Sequence, residues 1–97
     1  MELSVVILNY KVPYHLLMCL DSVTKATEDL KAEIIVVDNH SEDESINLVK
    51  HLYPEVKVIS NEANYGFSKG NNIGVEVAKG SQLMIDWKIP VLLEFNL

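Results

Sequence analysis

Glu33-Ile-Ile-Val-Val-Asp-Asn-His-Ser41 decides how the rest of the chain is read. Ile34 to Val37 is an unbroken β-branched run, the pattern of a short strand covered on both faces in a parallel sheet. It ends in Asp38, where a buried strand would emerge, and the turn formers Asn39 and Ser41 follow. Upstream, Leu3-Ser-Val-Val-Ile-Leu8 is another nearly continuous apolar run. Pro13 then suits a first helical turn, and Leu16, Leu20 and Val23, widened by Leu17, make a helical stripe. Downstream, Ser41-Glu-Asp-Glu44 has the capping-box pattern, with Ser41 as N-cap and Glu44 at N3. Ile46, Val49 and Leu52 or Tyr53 mark the helix that follows, and Pro54 stops it. Val56-Lys-Val-Ile59 reads as a third strand, and a third helix is predicted from about Ser68 to Lys79 with Gly80 as its stop. This alternation predicts right-handed βαβ units: an α/β fold with a mostly parallel sheet and helices on both faces.

Composition narrows the function. Ninety-seven residues support one domain, and 48% hydrophobic residues are too many for a disordered chain. A net charge of −6 with scattered basic residues argues against a nucleic-acid partner, which needs a clustered basic footprint. No apolar run approaches the ~18 residues of a transmembrane segment, and Met1-Glu2 opens into a strand without a signal-peptide pattern. A cytoplasmic location is expected. Cys19 is expected to be a buried inert thiol, with no histidine or basic group placed to activate it. His15, His40 and His51 have no metal-ligand spacing, so no metal site is expected from them. Glu42, Asp43 and Glu44 are read as acids complementing a helix dipole.

Three places could carry chemistry. Ligands of open parallel sheets bind outside the carboxyl ends of the strands, where Asp38 would sit. Its carboxylate could accept a ring N–H such as N3–H of uracil or thymine, or it could simply join the turn of Asp38 to Ser41. The first β–α loop, Asn9-Tyr-Lys-Val-Pro13, has no glycine and cannot make a dinucleotide-binding G-x-G-x-x-G turn. It offers Tyr10 instead, either as an aromatic face for a flat base or as ordinary loop structure. Finally, Gly66, Gly70 and Gly74 recur four apart in Asn64-Tyr-Gly-Phe-Ser-Lys-Gly-Asn-Asn-Ile-Gly74. Gly70 and Gly74 would let a helix approach the sheet or a ligand closely, and Asn64, Asn71 and Asn72 add amide groups nearby.

Taken together, Ser4-Val-Val-Ile-Leu-Asn-Tyr-Lys11, Glu33-Ile-Ile-Val-Val-Asp-Asn-His-Ser-Glu-Asp43 and the Asn64–Gly74 segment resemble the start of a family 2 glycosyltransferase of the GT-A fold. Order and spacing agree over roughly residues 3 to 80. The Val-Asp-Asn and Gly-Phe-x-x-Gly-Asn-Asn variants are most similar to the rhamnosyltransferase-type branch. Lys11 departs from the pattern, which usually has asparagine there. The resemblance implies a Rossmann-like nucleotide-binding half in which Tyr10 stacks near the base, Asp38 bonds its ring N–H and Asn9 lines the same pocket. Gly66, Asn71 and Asn72 would line the nucleotide side of the cleft.

The family then continues into a D-x-D motif that binds Mg or Mn. Here Asp86 is followed two residues on by Lys88, so the motif is missing, as is a general base. The chain is therefore read as a nucleotide-sugar-binding half over 1–80, followed by a divergent apolar tail over 81–97, truncated relative to the family. The expected partner is a UDP- or dTDP-sugar, bound weakly, with no catalytic residue and no metal cofactor in this fragment. The parent reaction would pass the sugar to a glycan or lipid-linked acceptor with inversion. A small non-catalytic α/β regulatory or protein-interaction module is the competing reading. An unpaired sheet edge and an apolar tail also predict a homodimer.

Overall fold

The computed structural model describes residues 2–86 and 92–96. The elements follow in the order β1 (Leu3–Asn9), α1 (Pro13–Ala26), β2 (Ala32–Asp38), α2 (Ser45–Leu52), β3 (Lys57–Ser60), α3 (Gly66–Val77), β4 (Gln82–Asp86) and β5 (Leu92–Asn96). They form one five-stranded sheet in the order β3-β2-β1-β4-β5. β1 to β4 run parallel, and β5 turns back antiparallel to β4. The expected α/β fold with a mostly parallel sheet is what forms.

Alternation along β1 and β2 divides the core between two faces. Leu3, Val5, Ile7, Ile34 and Val36 pack with Leu16, Leu20 and Val23 of α1 and Val49 of α2. Val6, Ile35 and Val37 meet Ile73 of α3 on the other face. Val5, Val6, Ile35 and Val37 are all 0% exposed, and burying each such side chain stabilises the fold by ~1.5–3 kcal/mol. Of the two candidates closing the α2 stripe, Tyr53 packs against the core while Leu52 is exposed.

α3 lies close because its facing residues lack side chains. A Cβ on Gly74 would stand 2.5 Å from Val6 Cγ1, and one on Gly70 would stand 2.6 Å from Leu8 Cδ1. Those two glycines thus serve helix-to-sheet contact, one of the two uses expected of them. The helix spans Gly66–Val77, two residues earlier than predicted at each end. It stops because the Glu33 carboxylate accepts the Lys79 N–H at 2.6 Å and Ser4 Oγ accepts the Gly80 N–H at 2.8 Å. Gly80 is therefore no cap but a point of contact with β1, where a Cβ would lie 2.6 Å from backbone atoms of Leu3 and Ser4.

The capping box expected at Ser41 is a correction. α2 begins at Ser45, with Glu44 in the N-cap position and no side-chain cap bond. Ser41 Oγ is drawn instead to the buried Asp38 carboxylate at 2.6 Å, a stronger partner than a helix-end amide. Glu42, at φ +57°, takes the chain out of helical conformation. The stretch 81–97, read as a divergent apolar tail, supplies β4 and β5, and β4 pairs with β1 from Leu3–Gln82 to Ile7–Asp86. The remainder of that tail, 87–91 and Leu97, lies outside the described residues.

Candidate functional site

The chain leaves β1 toward β2 on one side and returns through α3 to β4 on the other. Strand order therefore reverses between β1 and β4, and in open α/β sheets the crevice outside such a point is where ligands bind. A cleft of about 760 Å³ lies there, with Asn9, Tyr10, His15, Asn39, Gly66 and Phe67 among its lining residues. Its floor is the carboxyl end of β1, one wall comes from α1, and the other comes from the start of α3.

Each wall has a local cause. Pro13 starts α1 immediately after the loop, which leaves Tyr10 at the mouth, 42% exposed. Gly66 opens α3 at φ +80°, in the left-handed region that glycine adopts at no steric cost. Its N–H is taken by Asn64 Oδ1 at 2.9 Å, and its carbonyl accepts Asn39 Nδ2 at 3.0 Å. Asn39 Oδ1 in turn accepts Asn61 Nδ2 at 2.8 Å, so one buried amide ties the loops after β2 and β3 to the start of α3.

Of the six residues expected at the nucleotide, the cleft brings together Asn9, Tyr10 and Gly66. Asp38 sits one layer behind, 2% exposed. Its Oδ1 accepts Asn9 Nδ2 at 2.8 Å and the Ser41 hydroxyl at 2.6 Å, while Oδ2 accepts the Ser41 N–H at 2.9 Å. The turn role weighed for this residue is thus present in full. Asn71 is buried away from the lining, with neither amide atom hydrogen-bonded, and Asn72 is exposed on α3.

Among the lining residues not expected there, three carry polar or ionisable side chains. Asn39 had been counted only as a turn former. His15 and Cys19 line the α1 wall, with Cys19 Sγ 3.6 Å from His15 Nε2. The expectation that no histidine neighbours this thiol is corrected: the two are four apart on one helix face, a spacing visible in the sequence.

A hard divalent cation needs several oxygen ligands. The described lining contains no carboxylate, and no cluster of three or more metal-ligating side chains occurs among the described residues. These residues do not fit Mg or Mn. Among the described residues, no helix is long and apolar enough to cross a membrane.

Comparisons with known proteins agree with this architecture. The crystal structure of S. aureus TarS 1-349 superposes with a TM-score of 0.75 at 27% identity, over 88% of this chain and 26% of that one. The same protein in complex with UDP-GlcNAc gives a TM-score of 0.76 at 27% identity, with the same shares covered. The mannosyltransferase PcManGT from Pyrobaculum calidifontis, in complex with GDP-Man and Mn²⁺, gives 0.76 at 21% identity, over 87% of this chain and 26% of that one, and shows the fold alone. This chain thus spans about a quarter of the length of these structures. No curated protein matches it. The family described as Glycosyl transferase family 2 matches residues 4–85. With the fold, the cleft and this match in agreement, the chain belongs to glycosyl transferase family 2 and corresponds to the N-terminal part of such enzymes.

Proposed function

We infer that this chain is a nucleotide-sugar-binding unit whose cleft at the β1–β4 reversal takes the nucleotide of a UDP- or dTDP-sugar. The observation that carries this is the exposed ring of Tyr10 at the mouth of that cleft, beside Asn9 and Gly66. An aromatic face at a strand's carboxyl end suits a flat base, and Gly66 adds no side chain of its own to the opposite wall. Asp38 holds Asn9 and Ser41 in place behind the base, and its Oδ2, with one hydrogen bond, is the atom for a ring N–H that reaches it. The UDP-GlcNAc complex of TarS supports a uridine nucleotide. The Val-Asp-Asn and Gly-Phe-x-x-Gly-Asn-Asn variants support a donor of the rhamnosyl type, for transfer to a glycan or lipid-linked acceptor. This chain alone performs no transfer, because Lys88 follows Asp86 where the family places its second carboxylate.

Shift mapping by NMR with millimolar UDP and dTDP tests the reading. The amides of Asn9, Tyr10 and Gly66 should move, and Tyr10→Ala should weaken the response about tenfold, the loss of roughly one base–aromatic stack. Unmoved amides at all three positions refute it.

A further inference from the structure

An anion in this cleft meets an unusual set of charges. The chain carries a net −6, and no described residue of the lining is acidic, so neither long-range attraction nor a carboxylate-held cation is available from the described residues. Lys11 stands next to the cleft in a fixed posture. Its backbone is left-handed, at φ +55°, and its N–H is held by Ser41 Oγ at 2.8 Å. Its ammonium lies 5.3 Å from the centroid of the Tyr10 ring. Among the described residues, Lys69 also rests on an aromatic ring, that of Tyr65, which does not line the cleft.

Lys11 is therefore poised between two partners. On an exposed ring a cation–π contact is weak, whereas a charge-assisted hydrogen bond to a phosphate oxygen is stronger and shorter. Lysine carries its charge on a flexible four-carbon stem and can trade one partner for the other without moving its backbone. Asparagine, usual at this position in the family pattern, has no charge to offer. We propose that Lys11 supplies the positive charge for the phosphates of a nucleotide whose base lies on Tyr10, so that the diphosphate strengthens binding without a divalent cation. This rests on the nucleotide reading above and adds to it a residue, a charge and a metal independence.

Calorimetric titration of the full chain with uridine and UDP, in EDTA, tests the proposal. One partly exposed ion pair should make UDP bind about fivefold tighter than uridine. Lys11→Asn, which retains the left-handed preference, should bring that ratio to about one. Lys11→Arg should keep the ratio, and salt near ~1 M should erase it. A ratio unchanged in Lys11→Asn, or a diphosphate gain seen only with added Mg²⁺ or Mn²⁺, overturns the role of Lys11 while leaving the nucleotide cleft intact. Failure of the unmodified chain to bind either compound overturns the cleft and Lys11 together.

Discussion

Glu33→Gln gives the sharpest test of what holds this sheet together. Glu33 lies at the amino end of β2, with its side chain 5% exposed. Burial alone would raise its pKa, but it is outweighed by hydrogen bonds from Lys57 Nζ, the Ser4 hydroxyl and the Lys79 N–H and by the Lys57 charge, which lower it from 4.5 to about 2. At about 1.36 kcal/mol per pH unit, that depression corresponds to about 3 kcal/mol of stability from the ionised form. A group with a depressed native pKa gives its full contribution above the unfolded value of 4.5, and loses it as pH falls toward about 2. About 2 kcal/mol of it should be gone at roughly pH 3, by linkage across those two values. The glutamine variant cannot titrate and keeps acceptors for only some of these donors. Urea unfolding of both proteins from neutral pH down to about pH 3 isolates the effect, because every other carboxylate cancels in the difference. The difference should be about 2–3 kcal/mol at neutral pH and shrink by roughly 2 kcal/mol on acidification. A difference that stays constant with pH would refute the reasoning, since the variant's cost would then come from shape and not from the charge.

Gly74→Ala should destabilise by about 1–3 kcal/mol in thermal or urea unfolding, although alanine is the better helix former by ~1 kcal/mol, because its methyl would meet Val6 Cγ1 at 2.5 Å. A stabilised variant would mean that α3 can lift off the sheet freely. His40→Asn should raise stability by about 0.5–1 kcal/mol, since His40 holds φ +64° and asparagine tolerates the left-handed region better. A loss would show that the His40–Glu42 contact at 2.9 Å outweighs the backbone cost. Light scattering at high micromolar concentration should give about twice the 10.9 kDa chain mass, as expected if a β5 or β3 edge pairs with a second copy. A monomeric mass at every concentration would show that these edges stay unpaired.

Most of the fold was legible because the decisive signals were long or periodic. Ile34 to Val37 and Leu3 to Leu8 could hardly be anything but buried strands, and Leu16, Leu20 and Val23 carry a helical period. β4 was harder to see, because Leu83-Met-Ile85 is too short an apolar run to choose between strand and tail. In the site, Tyr10 could be placed from topology, since ligands of open parallel sheets bind at strand ends, whereas Asn9 and Gly66 were reached only through the family resemblance. Asn39 could not be placed, because its role depends on Gly66 and Asn61, residues brought near only by the folded chain. Ser41 shows the opposite failure. Its local pattern was correct for a cap, but Asp38, three residues before it, offered a buried carboxylate that a helix end could not match.

The polar residues of the two central strands explain why the cleft has a definite floor. Ser4 stands opposite Glu33 and Asn9 opposite Asp38 in the β1–β2 register, and both pairs are hydrogen-bonded, at 2.6 and 2.8 Å. Between them Val5 to Leu8 faces Ile34 to Val37, a stretch of interchangeable apolar residues. A parallel slip by two residues would keep every side chain on its own face, so the apolar stretch alone discriminates weakly against it. The same slip would place Asp38 opposite Ile7 in one direction or Glu33 opposite Val6 in the other, so that a buried carboxylate loses a hydrogen-bond partner either way. The register is therefore held at its two ends. Because Asn9 lies on the cleft floor and is fixed by Asp38, the bond that sets the register also sets where Tyr10 and Lys11 emerge. On this argument Asp38→Ala should disturb ligand affinity and strand register together, and hydrogen exchange along β1 and β2 would report the second without any ligand. Protection unchanged in that variant would mean the apolar stretch holds the register unaided.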